Sequence, residues 1–270
     1  IFTLSKIGLN MPLSLINSVA SWFLRKRFQQ IEYFMTHPNE VQEALLMSLI
    51  SKAKDTELGI KYGFSSIRSY ADFARQVPIT TYEEYQPYIE RSRNGEDNIF
   101  WPTQIKWFAK SSGTTNAKSK FIPVSQESLE ECHYEASKDL LSIYLNNNPD
   151  SQLFTGKGLR LGGSKELYKD KGTSFGDLSA ILIDNMPFWA EYSSTPKNRI
   201  SLLSDWEIKM QAIVDDTITE NVTSLMGVPS WMLVLLNNVL ETTGKEHIHE
   251  VWPDLEVYFH GGVSFAPYRD

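Results

Sequence analysis

Apolar residues fall at helical spacing from Leu13 to Phe34, break at Thr36-His37-Pro38-Asn39, and resume from Glu40 to Lys54, so the pattern predicts two helices in tandem. Thr56-Glu57-Leu58-Gly59 ends that stretch. A short helix follows from Ser66, read as its cap, to Arg75, and Pro78-Ile79-Thr80 breaks the chain again. Thr81 and Glu84 have capping-box spacing and open a tyrosine-rich helix to about Arg93, where Asn94-Gly95 turns the chain. The period then changes. Ile105-Lys106-Trp107-Phe108-Ala109 alternates and Phe121-Ile122-Pro123-Val124 is apolar, which predicts two strands flanking Lys110 to Lys120. Ser125 caps a helix that runs through Leu145 to the stop at Asn146-Asn147-Asn148-Pro149.

Beyond Pro149 strands and helices alternate. Gly158 to Leu161 and Ser179 to Ile183 are short apolar runs that read as buried strands, and the polar connection from Gly162 to Gly176 reads as an exposed loop or hairpin. Ser204-Asp205 caps a helix to about Glu220, Val222 to Met226 is a strand, Pro229 starts an apolar helix to Leu240, and Leu255 to Phe259 is a strand ending in glycines. A strand-helix-strand unit implies parallel strands, whose carboxyl ends share the edge where ligands collect. Met226-Gly227-Val228-Pro229 and His260-Gly261-Gly262-Val263-Ser264 are then expected to wall one crevice, with Val228, Pro229 and His260 as candidate substrate-binding residues. No linker or repeat interrupts the chain, so one domain is expected over residues 1–270.

The stretch Lys110-Ser111-Ser112-Gly113-Thr114-Thr115-Asn116-Ala117-Lys118-Ser119-Lys120 carries the most chemistry. Gly113 gives the turn its backbone freedom, and successive N–H groups around a glycine make an anion-binding nest. Ser111, Ser112, Thr114 and Thr115 add short hydroxyl donors, and Lys118 or Lys120 can neutralise phosphate charge. A triphosphate suits such a loop best; a solvated Ser/Thr-rich hairpin turn is the alternative on residues alone. The spacing is not that of a Walker loop. At Gly261-Gly262 the backbone could approach a flat base with Val263 packed on its face, or could simply turn. Met186-Pro187-Phe188-Trp189 reads equally as a core lid or as the wall of an acyl pocket. His247 and His249 are two apart with no carboxylate cluster, which argues against a zinc site, and no Gly-x-Ser-x-Gly elbow is present.

Charge narrows the partners. With 26 basic and 33 acidic residues the formal net charge is −7, against a nucleic-acid footprint. Cys132 is the only cysteine, which excludes an internal disulfide and a multi-cysteine metal site and fits a reducing, cytoplasmic setting. The basic triplet Arg25-Lys26-Arg27 follows the apolar run 13–24, unlike a secretory signal, and that run is too short to span a bilayer as a helix. A helix packed on the domain is the expectation, with membrane-surface attachment as the minor alternative. The chain starts at Ile1, and Met11-Pro12 is the expected natural start.

The loop resembles the phosphate-binding motif of adenylate-forming enzymes, and its details resemble the auxin-conjugating acyl-acid amido synthetase family. Ser111 to Thr115 matches Ser-Ser-Gly-Thr-Thr, and Lys120-Phe121-Ile122-Pro123 matches the Lys-Phe-Ile-Pro that follows variable residues. Asn116 stands where the wider superfamily has a second glycine. The likeness extends to Tyr82–Tyr88, to Gly227-Val228-Pro229-Ser230-Trp231 and to His260–Ser264. It implies an α/β fold of the adenylate-forming N-terminal type, mixed sheets covered by helices and preceded by a helical segment. It also implies ATP with Mg2+, a small carboxylic acid activated as acyl adenylate, and transfer to an amine or, in the adjacent variant, a thiol. Lys120 is the expected catalytic residue; Ser111, Ser112, Gly113, Thr114 and Thr115 are expected on the phosphates and Gly261, Gly262, Val263 and Ser264 beside the base. The family's magnesium-holding glutamate, ribose-contacting aspartate and mobile C-terminal domain belong downstream of the glycine segment. A 270-residue chain ending at Asp270 is therefore expected to be an incomplete adenylation domain, a nucleotide- or acid-binding module without turnover by itself.

Overall fold

The computed structural model describes residues 13–111, 120–162, 168–170 and 172–269. Helices α1 (Leu13–Thr36) and α2 (Pro38–Ala53) come first, and Pro38 sits in the first turn of α2, where its missing N–H costs nothing. Three shorter helices follow: α3 (Glu57–Lys61), α4 (Tyr70–Gln76) and α5 (Tyr82–Arg93). The hairpin strands β1 (Trp107–Ser111) and β2 (Lys120–Val124) lead through a π-helical segment at Ser128–Tyr134 into α6 (Glu135–Asn147). Then come β3 (Lys157–Leu161), β4 (Tyr168–Asp170), β5 (Thr173–Gly176), α7 (Leu178–Asp184), α8 (Phe188–Tyr192), β6 (Ser194–Thr195) and α9 (Asn198–Ser201). The described chain closes with α10 (Trp206–Thr217), β7 (Val222–Gly227), α11 (Pro229–Thr243) and β8 (Val257–His260). No described helix is long and apolar enough to cross a membrane.

Contacts divide the chain into two compact units, one of residues 29–139 and 165–182, the other of residues 1–28, 140–164 and 183–270. The first holds a four-stranded sheet of order β2-β1-β5-β4, with β1 antiparallel to β2 and parallel to β5. Its central strand β1 is covered on both faces. Phe108 packs with Ile89 and Ile105, whereas Trp107 and Ala109 face Val124, Leu129 and Ile181. Alternation along the strand thus feeds two cores rather than one core and solvent.

The second unit holds a fully parallel sheet of order β6-β3-β7-β8. Leu159, Leu161, Val222 and Leu225 meet the apolar stripes of α10 (Met210, Ile213, Val214) and α11 (Met232, Leu235, Val239). Each such side chain contributes about 1.5–3 kcal/mol when fully buried. Trp252 is buried beside them and spends its indole N–H on the carbonyl of Thr217 at 3.1 Å. In the same unit α1 turns Asn17 and Leu24 inward, and Asn17 donates to the carbonyl of Ser151 and accepts from the N–H of Phe154, both at 3.0 Å. Leu15, Val19, Trp22 and Phe23 lie on its exposed side.

Several sequence-based expectations are corrected. Ser179 to Ile183 is helix α7, not a strand: Ile181 N–H reaches back to Asp177 C=O at 3.1 Å, and Ala180, Ile181 and Ile183 are all buried. Four consecutive apolar residues, Ala180 to Ile183, show no period, so only their packing decides. The cap of α4 is Ser69, whose hydroxyl accepts from Asp72 N–H; Ser66 lies in a single 3-10 turn before it. Of the loop and hairpin readings of the connection to Gly176, the antiparallel pairing of β4 with β5 bears out the hairpin, though β5 also joins the sheet beside β1 and buries Thr173. Capping by Thr81 with Glu84 and by Asp205 is present as read.

Candidate functional site

Within the first unit, β1 and β2 pair so that Ser111 lies opposite Lys120. The antiparallel strands that flank the hydroxyl-rich stretch therefore pair as far as the neck, Ser111 and Lys120. Ser112, Gly113, Thr114, Thr115 and Lys118 lie outside the described residues. Ser111 and Lys120 themselves belong to the strands, which fixes where the loop leaves and re-enters the sheet.

Helix α5 grips the second half of that neck. The Tyr82 hydroxyl accepts from Phe121 N–H at 2.8 Å, and Glu83 Oε1 is 3.6 Å from Lys120 Nζ, which also sits 5.0 Å from the centre of the Tyr82 ring. The Glu83 carboxyl is held below its usual range, chiefly by its own backbone N–H at the start of the helix and then by the Lys120 charge. Arg93, from the last turn of α5, stacks its guanidinium over Phe121 at 3.9 Å, and Phe121 meets Phe175 edge-on at 5.7 Å. A half-exposed cation at the mouth of a glycine-bearing loop is an arrangement suited to an anion.

Within the second unit the parallel register aligns Leu161, Gly227 and His260 in one row at the carboxyl edge of β3, β7 and β8. Gly227 packs tightly, since a Cβ there would lie 3.0 Å from the Leu161 carbonyl oxygen and 3.2 Å from Leu161 Cβ, so a larger residue would need β3 to give by a few tenths of an ångström. Val228 then occupies the N-cap position of α11, with Pro229 buried at its first turn. Gly262 has φ +85°, and a Cβ on it would touch Val228 Cγ2 at 3.4 Å, so the two segments expected to wall one crevice do meet. Gly261 faces open space, with nothing within 4 Å of a Cβ. The exposed His260 ring stacks on Phe265 at 4.4 Å. Val263 is exposed, and the Ser264 hydroxyl accepts from Ala266 N–H at 3.4 Å.

Two supports of this edge escape sequence reading. Tyr258 donates its hydroxyl to Gly227 C=O at 2.9 Å, tying β8 to the end of β7, and burial pushes its pKa up to about 12. Lys209 is fully buried in α10 and donates to Gly162 C=O at 2.8 Å, just past β3. Its position one residue before Met210 and four before Ile213, on the apolar stripe, is the signal that could have found it. His249 Nε2 lies 3.1 Å from Leu255 O in a solvated turn, and no cluster of three or more His, Cys, Asp or Glu able to hold a metal occurs among the described residues. Of the Met186–Trp189 patch, Met186 Sδ lies 2.8 Å from an Arg160 guanidinium nitrogen; the side chains of Phe188 and Trp189 lie outside the described residues.

One unit with a mixed sheet and one with a parallel sheet, both packed with helices, define a mixed α/β protein. The family described as "GH3 family N-terminal domain" matches residues 27–270, and the chain belongs to that family. It is 33% identical over 103 residues to the putative indole-3-acetic acid-amido synthetase GH3.9 of Arabidopsis thaliana, covering 38% of this chain and 17% of that protein. It is 25% identical over 162 residues to the jasmonoyl--L-amino acid synthetase JAR4 of Nicotiana attenuata, covering 59% and 27%. Among solved structures, GH3.15 acyl acid amido synthetase superposes with a TM-score of 0.71 at 16% identity, covering 90% of this chain and 53% of the other, which shows the shared fold. The matched stretch is thus about a quarter or less of these two curated relatives and about half of that solved structure.

Proposed function

We propose that the chain supplies the acid- and nucleotide-binding part of an ATP-dependent acyl-acid amido synthetase, which activates a carboxylic acid as acyl adenylate and passes the acyl group to an amine. The observation that carries this reading is the hairpin neck, where Ser111 and Lys120 are paired and Lys120 is held by Tyr82 and Glu83. Membership in the GH3 family, with relatives named as a putative indole-3-acetic acid-amido synthetase and a jasmonoyl--L-amino acid synthetase, supports it. Bound at the hairpin, ATP supplies the leaving pyrophosphate. Lys120 and the loop hydroxyls of Ser111, Ser112, Thr114 and Thr115 neutralise and orient phosphate there, with Gly113 giving the turn. Taken by itself, the second unit offers the edge at Gly261–Ser264 as the candidate surface for the base, with open space at Gly261 for a flat ring, and Val228, Pro229 and His260 as candidate acid-binding residues.

Mg2+ enters this reading with the nucleotide phosphates, because the described residues offer no ligand cluster of their own. A cytoplasmic setting fits nucleotide-dependent chemistry. The test is acid-dependent pyrophosphate release from ATP by the natural protein that contains this chain, supplied with magnesium and a panel of carboxylic acids and amines, with products identified by mass spectrometry. Amide formed only when acid, ATP and amine are all present is the expected result. Pyrophosphate release that no acid stimulates sinks the reading, and thioester in place of amide moves it to the thiol variant.

A further inference from the structure

A cleft of about 250 Å3 opens between the end of α3, the Pro78–Thr80 segment and α5, lined by Lys61, Tyr62, Ile79, Glu84, Tyr85 and Tyr88. Its wall is an aromatic cluster: the Tyr85 and Tyr88 rings lie 6.3 Å apart, and Phe100 packs against both, at 6.1 and 6.5 Å. Ile79 stands fully exposed at the rim. Solvent-facing apolar surface beside a concave aromatic wall is a ligand-binding composition.

The charge in the cleft decides which ligand. Lys61 donates to the Tyr88 hydroxyl at 2.9 Å and lies 5.0 and 5.2 Å from the Tyr88 and Tyr62 ring centres. Its hydrogen-bond and ring partners are thus uncharged, and Glu57, four residues before it, is committed to Arg91 at 2.9 and 2.7 Å. Glu84 spends an oxygen on the Thr81 cap, at 2.6 Å from its N–H. Because Lys61 already occupies the cation position on the tyrosine faces, the cleft is no cage for a second cation. It presents flat aromatic surface, the Lys61 ammonium and, from Glu84, a carboxylate whose Oε2 is taken by the Thr81 cap. The hydrogen bond that Lys61 donates to Tyr88 raises the Lys61 pKa and burial raises that of Tyr85, so both keep their protons through the neutral range.

We propose that this cleft is a binding site for a small aromatic carboxylate, its ring against Tyr85 and Tyr88 and its carboxylate on Lys61. The volume lies below the roughly 300–1,000 Å3 of sites for drug-sized ligands, and suits a single or fused ring. The helix that walls the cleft also carries Tyr82 and Glu83, which hold Lys120 and Phe121, so occupancy would be felt at the hairpin neck. That consequence rests on the function proposed above; the binding does not.

The experiment is calorimetric titration of the 270-residue chain with benzoate and with phenylacetate, repeated with benzylamine and with the variants Lys61→Gln, Tyr88→Leu and Lys120→Ala. Tyr88 is half-buried, so its variant is first checked by circular dichroism; the exposed Lys61 gives a second variant that does not threaten the fold. Binding of the acids, weakened on the order of tenfold in Lys61→Gln and unchanged in Lys120→Ala, is the expected pattern. No binding of either acid, equal binding of benzylamine, or full binding by Lys61→Gln overturns the proposal. Binding lost in Lys120→Ala and kept in Lys61→Gln places the acid at the hairpin instead; the cleft proposal then fails while the adenylating reading stands.

Discussion

The Tyr82 hydroxyl accepts the Phe121 N–H at 2.8 Å across 39 residues of sequence, which ties the first turn of α5 to the second residue of β2. Because Phe121 follows Lys120 directly, this bond also anchors Lys120 at the start of β2. Tyr82→Phe removes the acceptor but keeps the ring. At this half-buried position the unpaired N–H should cost about 1 kcal/mol, read as a lower urea midpoint. Faster amide exchange at Phe121 than at Ile122 would identify the cause. An unshifted midpoint together with unchanged exchange would mean that water replaces the hydroxyl without loss.

Lys120 and Glu83 form an exposed pair at 3.6 Å, of the kind worth about 0–1 kcal/mol. Lys120→Ala should therefore leave stability within about 0.5 kcal/mol. Acid-dependent pyrophosphate release should nevertheless fall on the order of a hundredfold, the scale of losing one charge-stabilising group. Glu83→Gln, which frees the lysine without removing it, should keep most of the activity. Wild-type rates in Lys120→Ala would remove Lys120 from the chemistry and make Lys118 the lysine to test.

What the sequence discloses here depends on whether the signal is local. Thr81 with Glu84, and Asp205 before Trp206, name their caps because a side chain answers an N–H three residues away. The parallel β3-β7-β8 edge is legible because Gly227-Val228-Pro229 and His260-Gly261-Gly262 each punctuate a strand. Ser179 to Ile183 is not legible, since a helix and a strand bury that run equally well and only the contact of Ile181 with the hairpin's second face decides. Tyr258, Lys209 and the Tyr82–Phe121 bond act between residues 31, 47 and 39 apart, where no spacing rule reaches.

Arg91 bridges Glu57 on α3 and Glu96 after α5, and its hydrogen bonds hold both carboxyls below their usual range. Groups with depressed folded-state pKa values contribute stability above the unfolded value, about 4.3 for Glu, and lose it as pH falls through the folded value. Stability of the first unit should thus decline with acid below about pH 4.3. Arg91→Ala should be destabilised near neutrality and should show a shallower acid limb. Urea titrations at several pH values would check this; parallel acid limbs in the two proteins would show that other carboxylates set the decline.

Lys209 is fully buried and satisfies the Gly162 carbonyl at 2.8 Å. Lys209→Met keeps the length and apolar stem of the side chain but leaves that carbonyl without its donor, a loss of about 1–3 kcal/mol. Lys209→Ala, which also opens a cavity, should cost more, roughly 3–5 kcal/mol. Thermal melts should rank wild type above Met above Ala. A methionine variant as stable as wild type would show that the hydrophobic gain offsets the lost bond, as happens when buried charges are replaced by well-packed apolar groups.

The two adjacent glycines at the sheet edge separate folding from binding. Gly262 has φ +85°, so a side chain there is strained whatever lies nearby, and Gly262→Val should cost at least about 1–2 kcal/mol before any ligand is considered. Gly261 is different: φ is not in the left-handed region and a Cβ would meet nothing within 4 Å. Gly261→Ala should therefore fold like the wild type, with the same melting temperature within error. If the nucleotide base lies against this backbone, as proposed, the added methyl group projects into the space the base needs. Calorimetric titration with ATP or an acyl-adenylate analogue should then show affinity reduced on the order of tenfold or more, since overpacking costs about 1–3 kcal/mol. Unchanged affinity in a well-folded Gly261→Ala protein would leave Gly261-Gly262 as the turn that ends β8 and would send the search for the base to another part of the edge.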